Sequence, residues 1–192
     1  AMLSLGYMQA ESAIGVFKRS LLSHDKDVAR YSMVALGQIK TVKSAAMLLN
    51  FLEKYPSNGY SIASILDDFP KEIADDVIKL TYSRNALVRF WAATILSKFA
   101  SERDLNKIEE LTYDTSAEVR AAACDCLGRI GNNPARQALL KRLKDDNWLV
   151  KRRAVFALEH IMGGESVPEV INLINDPSWS VVDAIKDVMT RH

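Results

Sequence analysis

The chain has 192 residues, 48% of them hydrophobic, and its 25 Lys and Arg against 24 Asp and Glu give a formal charge of +1. This composition supplies a continuous core and disfavours both intrinsic disorder and the strongly basic proteins that wrap nucleic acid. Its two cysteines predict a reducing compartment, and we expect a cytoplasmic protein. No apolar run approaches the about 20 residues of a membrane span, so we expect no membrane contact by this segment.

A leucine recurs every 30 or 31 residues and sets a repeat length. The recurring positions are Leu5, Leu36, Leu66, Leu96, Leu127, Leu158 and, in the last unit, Met189. In five units a valine stands eight residues earlier. A regular period of this length is typical of repeat arrays in which each unit is one small structural motif.

The first stretch predicts an incomplete unit. Residues 1–2 resemble a cloning scar. Leu5 aligns with Leu36, which lies near the end of a first helix, so the partial unit 3–22 begins in the middle of a repeat. Half a helix pair would leave the apolar side chains of Leu5, Met8 and Ile14 bare, so we expect further sequence before residue 3.

The following stretches predict pairs of helices in a single array over 3–192. The expected units are 23–54, 55–82, 83–113, 114–144 and 145–175, followed by a partial or capping unit at 176–192. The unit at 55–82 is the most degenerate. It carries Pro56 and Asn58-Gly59 and has no valine at position 58, which predicts a first helix that is short or begins late.

The unit at 114–144 has the most regular sequence. Six apolar residues lie at helical spacing: Val119, Ala122, Ala123, Cys126, Leu127 and Ile130. Gly131 ends this helix and Pro134 opens a second one over 134–144. The same arrangement in the next unit predicts a second helix over 169–175.

The pattern D-x-x-x-x-V-R-x-x-A-x-x-x-L-G-x-I-G runs from Asp114 to Gly131 and resembles the HEAT repeat, in particular the short bacterial and phycobilisome-lyase-like kind. The resemblance covers nearly the whole chain and is strongest over 114–182. It implies an all-α, right-handed α-solenoid of stacked antiparallel helix pairs with a period of 30–31 residues.

Charged residues recur around the repeated valine. Asp114, Asp145 and Asp176 stand five residues before it, and Arg120 and Lys151 stand directly after it. As the resemblance to HEAT arrays implies, we expect these residues to form a structural ladder between successive units and assign them no role in binding.

No catalytic or metal-binding motif is present. The histidines at 24, 160 and 192 belong to different units. Cys124 and Cys126 are two residues apart, about 200° around a helix, and cannot bind one metal together. We therefore predict no catalytic residue, no metal and no cofactor.

The second helices supply a candidate binding surface. Gln137, Lys141 and Lys144 lie on one stripe, opposite the leucine face of their helix, and Glu169, Asn172 and Asn175 continue it. Acidic residues at 67–76 predict a charge gradient along the array. We expect a non-catalytic interaction or scaffold module that binds a protein or peptide of unknown identity.

An alternative comes from aromatic and basic residues. The candidate patch comprises Trp148, Lys151, Arg152, Arg153 and Trp179. Tryptophan beside arginine can hold nucleic-acid bases and phosphates, and the segment faintly resembles the HEAT-like DNA glycosylases that act on alkylated bases. Tryptophan before a helix also staples it to the preceding unit, so both interpretations stay open.

Overall fold

The computed structural model describes residues 13–192, and every regular element in that range is helical. The chain divides into two compact units, 1–95 and 96–192. Leu5 and Met8, for which we expected a bare apolar face, lie outside the described residues, whereas Ile14 is 7% exposed.

The first unit contains five helices and the start of a sixth within its described residues. They are α1 (Ile14–Leu21), α2 (Lys26–Ile39), α3 (Val42–Lys54), α4 (Gly59–Ile65), α5 (Ala74–Leu80) and the beginning of α6 (Ala86–Phe99). Short 3-10 turns span Pro56–Asn58, Leu66–Asp68 and Lys71–Ile73.

Side-chain caps fix where α2 and α3 begin. The Asp25 carboxylate accepts the backbone N–H groups of Asp27 and Val28 at 2.9 and 3.3 Å. Thr41 and Ser44 form a capping box at the start of α3. Lys40 adopts a left-handed conformation between the two helices and allows the tight reversal.

The degenerate unit has a short, delayed first helix. A 3-10 turn precedes α4, which has only seven residues. The glycine at its start is required by packing, because a Cβ on Gly59 would lie 2.1 Å from the indole nitrogen of Trp91.

The second unit holds the end of α6 and six further helices. These are α7 (Leu105–Leu111), α8 (Ala117–Ile130), α9 (Asn133–Arg142), α10 (Trp148–Met162), α11 (Val167–Val170) and α12 (Trp179–Arg191). The first helices α8, α10 and α12 pack on one another in order. The second helices are α7, α9 and the segment 167–175.

The recurring leucines form the core. Leu36, Leu66, Leu96, Leu127 and Leu158 have no exposed surface, whereas Met189 is 44% exposed. The difference arises because this side of α12 faces solvent. The buried face of α12 is formed instead by Val181, Ala184, Ile185 and Val188.

The second helix of the 145–175 unit is interrupted. Sequence predicted a helix over 169–175, but the structure has a 3-10 turn at Gly163–Ser166, the four-residue α11 and another 3-10 turn at Ile171–Leu173. This stretch is rich in β-branched residues, which lose side-chain freedom in an α-helix.

Candidate interaction surface

An ion pair joins α8 to the loop before α10. The guanidinium of Arg120 donates to both carboxylate oxygens of Asp145, at 2.9 and 2.7 Å, and to the backbone carbonyl of Asp114 at 3.0 Å. Asp145 also accepts the N–H of Asn147 at 3.0 Å. One carboxylate therefore ties the arginine of one unit to the loop that opens the next.

The same arrangement recurs one unit later. The Lys151 ammonium donates to the carboxylate of Asp176, which accepts the backbone N–H of Ser178 at 2.9 Å. Both acids are nearly buried, with side chains 4% and 5% exposed in Asp145 and Asp176. The lysine of the candidate basic patch is thus part of a contact between units.

Hydrogen bonds lower the pKa of both ladder acids. Burial alone would raise the pKa of Asp145, but hydrogen bonds from Arg120 and from the Asn147 N–H outweigh it. Burial of Asp176 is likewise outweighed by hydrogen bonds from Lys151 and Ser178, which lower its pKa. These carboxylates stay charged at neutral pH and face the protein, not solvent.

The stripe of polar residues on the second helices faces solvent in part. Gln137, Lys144, Asn172 and Asn175 are exposed. Lys141 is exposed as well but lies 3.1 Å from the carboxylate of Glu109 on α7, and this hydrogen bond raises the pKa of Lys141.

A second bridge continues the connection between second helices. The Arg136 guanidinium of α9 lies 2.9 Å from the carboxylate of Glu169 on α11. The sequence pattern assigns Lys141 and Glu169 to the binding surface, and the structure gives each of them a partner on a neighbouring second helix. The two bridges link α7, α9 and α11 into one connected surface.

The two tryptophans of the candidate patch are solvent-accessible. Trp148 is 46% and Trp179 is 74% exposed, and they open α10 and α12. Their basic neighbours have partners within the chain. Arg152 lies 5.0 Å from the ring centre of Phe156, and Arg153 lies 3.6 Å from the carboxylate of Asp125.

Sequence reasoning missed an apolar groove between α1 and α3. It encloses about 540 Å³ and is lined by Ile14, Lys18, Leu21, Leu22, Lys43, Ala46, Met47, Asn50, Phe51 and Lys54. A sequence signal for it exists in α3, where Lys43, Met47, Asn50 and Lys54 lie on one helical stripe.

A smaller polar cleft lies on the first helices of the second unit. It encloses about 340 Å³ and is lined by Ser97, Asp125, Gly128, Arg129, Phe156, Ala157 and His160. Burial raises the pKa of the Asp125 carboxyl, and the nearby Arg153 and Arg129 oppose that shift. The Asp125 carboxylate is directed to Arg153, consistent with a structural ion pair.

The remaining candidates for chemistry are buried or dispersed. Cys124 and Cys126 have no exposed surface, and burial raises the pKa of both thiols. Over residues 13–192, no three His, Cys, Asp or Glu side chains are grouped so that they could hold a metal ion. No helix in this range combines the length and apolar character needed to cross a membrane.

The family model for HEAT repeats matches residues 74–159 and 108–186, which together span more than half of the chain. The chain belongs to the HEAT-repeat family. Its fold class is accordingly an all-α solenoid of stacked antiparallel helix pairs. Among curated proteins, none shows significant similarity to this HEAT-repeat chain.

Solved structures with the same fold share little sequence with it. The complex of CpcE and CpcF of phycocyanin lyase from Nostoc sp. PCC7120 has 15% identity and a TM-score of 0.61, covering 92% of this chain and 75% of that one. The archaeal HEAT-like repeats protein from Thermococcus onnurineus NA1 has 16% identity and a TM-score of 0.54, with coverages of 98% and 90%. A designed armadillo repeat protein in complex with the peptide (KR)4 has 15% identity and a TM-score of 0.52, with coverages of 93% and 98%. At these identities the likeness establishes the fold alone.

Proposed function

We propose that the chain is a non-catalytic module that binds a protein or peptide along its second helices. In the second unit this surface, called here the second-helix surface, consists of α7, α9 and residues 167–175. The observation that carries the proposal is that exposed polar residues stand on helices already fixed to one another. Gln137, Lys144, Asn172 and Asn175 are exposed, and two ion pairs bridge the helices that bear them.

A fixed surface favours binding for a physical reason. Association costs free energy when loops and side chains become ordered, and a surface that is ordered beforehand avoids part of that cost. The Glu109–Lys141 and Arg136–Glu169 bridges hold neighbouring helices while leaving the polar side chains beside them accessible. The amide groups of Gln137, Asn172 and Asn175 can donate and accept hydrogen bonds, as recognition of a peptide backbone requires.

Two of the similar structures support an interaction role. One is a complex of two chains, CpcE and CpcF, and the other is a designed repeat protein bound to a peptide. Repeat arrays offer extended surfaces on which several units contact one partner. The first of these neighbours belongs to a lyase, so the proposal of a non-catalytic role rests on the residues of this chain.

The basic residues of the candidate patch do not favour nucleic-acid binding, because each of them has a contact within the chain. Lys151 donates to Asp176, Arg153 lies beside Asp125, and Arg152 covers Phe156. A phosphate would have to compete with these contacts.

The proposal is tested with a phage-displayed library of random 16-residue peptides selected on the intact chain. Peptides that bind should protect backbone amides of α7, α9 or 167–175 from hydrogen exchange. Binding should weaken about tenfold or more in Gln137→Glu/Lys144→Glu and stay unchanged in the matched first-helix control Lys186→Glu. Protection confined to the first helices, or equal loss in both variants, would contradict the proposal for this unit.

A further inference from the structure

The groove between α1 and α3 in the first unit has the properties of a docking site. Each helix contributes one wall. α1 and the residue that follows it, Leu22, form one wall, and α3 forms the other, from Lys43 to Lys54. Its volume of about 540 Å³ exceeds that of the cleft on the first helices, which is about 340 Å³.

The floor of this groove is apolar and reachable from solvent. Leu22 is 53% exposed, and Ala46 and Met47 are half-buried, whereas Phe51 is 8% exposed at the base. An apolar groove that remains accessible in a folded chain offers another molecule a place to bind. Methionine adapts its shape to different apolar partners, which suits a docking floor.

The rim of the groove is basic. Lys18 and Lys54 are both exposed, and none of the described lining residues is acidic. Apolar surface bordered by lysines complements a partner with apolar residues flanked by carboxylates, because opposite charges guide the encounter and fix its orientation.

Residues of the groove hold repeat positions that correspond to those of the polar stripe in the second unit. Counted from the caps Thr41 and Asn132, Ala46 and Asn50 hold the places in α3 that Gln137 and Lys141 hold in α9. In the second unit, ion pairs join successive second helices. In the first unit, the second helices α1 and α3 instead flank the apolar groove.

We propose that the α1–α3 groove binds an acidic amphipathic helix of a partner protein. Apolar side chains spaced at i, i+3 or i+4 and i+7 enter the groove, and Asp or Glu on either side pair with Lys18 and Lys54. A helix is the expected conformation because a groove between two helices accepts the apolar stripe of a third. This inference rests on the proposed function and assigns it a partner class.

The test uses the same 16-residue library, with binding of each enriched peptide measured by fluorescence anisotropy. Three variants distinguish the contributions of the rim and of the floor from a general effect of charge. Lys18→Glu/Lys54→Glu reverses the charge of the rim, and Met47→Ser makes the floor polar. Lys26→Glu is the control, because it reverses an exposed charge outside the groove, at the start of α2. Circular dichroism and thermal unfolding establish that each variant retains the helical fold, and the floor variant tests the groove independently if the rim variant is unstable.

The expected result is a set of acidic peptides with helical apolar spacing. Their affinity should fall about tenfold or more in both groove variants, stay within about twofold in Lys26→Glu, and weaken as salt is added. Enrichment of basic peptides, or binding that groove variants leave unchanged, would overturn the inference.

Two outcomes separate this inference from the broader proposal. If every enriched peptide loses affinity in Gln137→Glu/Lys144→Glu and keeps it in both groove variants, the groove assignment is overturned and the proposed function stands. A dimer of the chain in light scattering that dissociates in Met47→Ser would show that a second copy occupies the groove and would overturn the partner class. Failure to enrich any peptide counts against both.

Discussion

Burial at single positions separates the residues that hold the repeats together from those available to a partner. Leu127 and Leu158 have no exposed surface, whereas Thr190 is exposed and donates its hydroxyl to the Asp187 carbonyl at 2.9 Å. The same periodic pattern thus contains positions of very different energetic weight.

Emptying a leucine position should be costly. Leu127→Ala or Leu158→Ala should lower the free energy of unfolding by about 2–5 kcal/mol, because the lost methyl groups leave a cavity in a packed core. Thr190→Ala should change it by less than about 1 kcal/mol. Urea unfolding followed by circular dichroism measures all three. Equal losses of unfolding free energy in the three variants would contradict the assignment of the recurring leucines to the core.

Neutralising a ladder acid should alter the dependence of stability on pH. The folded-state pKa of Asp145 is lowered, so its contribution is present above the unfolded value of about 3.9 and is lost as the pH falls through the folded pKa. Asp145→Asn should cost about 1.5–3 kcal/mol at pH 7, since charged hydrogen bonds to Arg120 are lost.

The cost of Asp145→Asn should begin to shrink as the pH falls below about 4, where the carboxylate of the unfolded wild type takes up a proton, and should vanish once the folded carboxyl is protonated as well. Urea unfolding at several pH values follows this change. The matched control is Asp183→Asn, because Asp183 is exposed on α12 and its replacement should alter stability little. A cost that stays constant from pH 7 to pH 3 would contradict the assignment of this stability to the charged pair.

At the scale of residues, the sequence predicted which side chains are buried but not which charged side chains pair with one another. Helical spacing indicates which face of a helix a residue occupies, and the recurring leucines are buried as expected. Spacing does not indicate what lies opposite on a neighbouring helix. The Lys141–Glu109 and Arg136–Glu169 bridges connect residues 32 and 33 positions apart, and only packing of the second helices brings them together.

Between elements, the close approach of first helices depends on a small residue after the leucine. A Cβ on Gly128 of α8 would lie 3.0 Å from the Ala157 Cβ and 3.2 Å from its Cα on α10. The equivalent Gly37 of α2 faces Ile65 of α4, and a Cβ on Gly37 would lie 2.5 Å from the Cγ2 atom of Ile65. The recurring Leu-Gly pair therefore sets how closely successive first helices pack.

Gly128→Ala should destabilise the fold although alanine favours helices. The propensity gain of about 1 kcal/mol is offset by overpacking of about 1–3 kcal/mol against the backbone of α10. Gly15→Ala is the matched control. No atom lies within 4 Å of the place that the alanine Cβ would take, so only the gain in helix propensity remains and stability should rise. Thermal unfolding of both variants tests the sign, and stabilisation by Gly128→Ala would refute this account.

Element boundaries followed sequence where caps are strong and departed from it where packing decides. Gly131 adopts the left-handed conformation that ends α8, and the Asn132 side chain caps α9. The interrupted segment at 163–174 has Gly163 at a positive φ of 56° and short 3-10 turns on both sides of α11. Periodicity alone could not separate these turns from a continuous helix, because both place apolar residues every three or four positions.

For the chain as a whole, a period of 30–31 residues predicted a repeat array and the pattern from Asp114 to Gly131 predicted the family, whereas the candidate groove was not predicted. The α1–α3 groove needs two helices from successive units and has no motif of its own. The charges have the same limitation: a basic run at 151–153 suggested a free patch, but each residue of it has a contact within the chain.

Those contacts predict that the chain binds nucleic acid weakly or not at all near physiological salt. Phosphate binding gains affinity from the release of counterions when Lys and Arg neutralise phosphates, and cations that already pair with carboxylates contribute less. Lys141 pairs with Glu109 and Arg153 with Asp125, while Arg152 lies over Phe156. Anisotropy titrations with single- and double-stranded oligonucleotides at about 150 mM salt measure the affinity. Micromolar or tighter binding that is lost in Lys141→Glu/Arg152→Glu/Arg153→Glu would favour a nucleic-acid-binding solenoid over a protein-binding module.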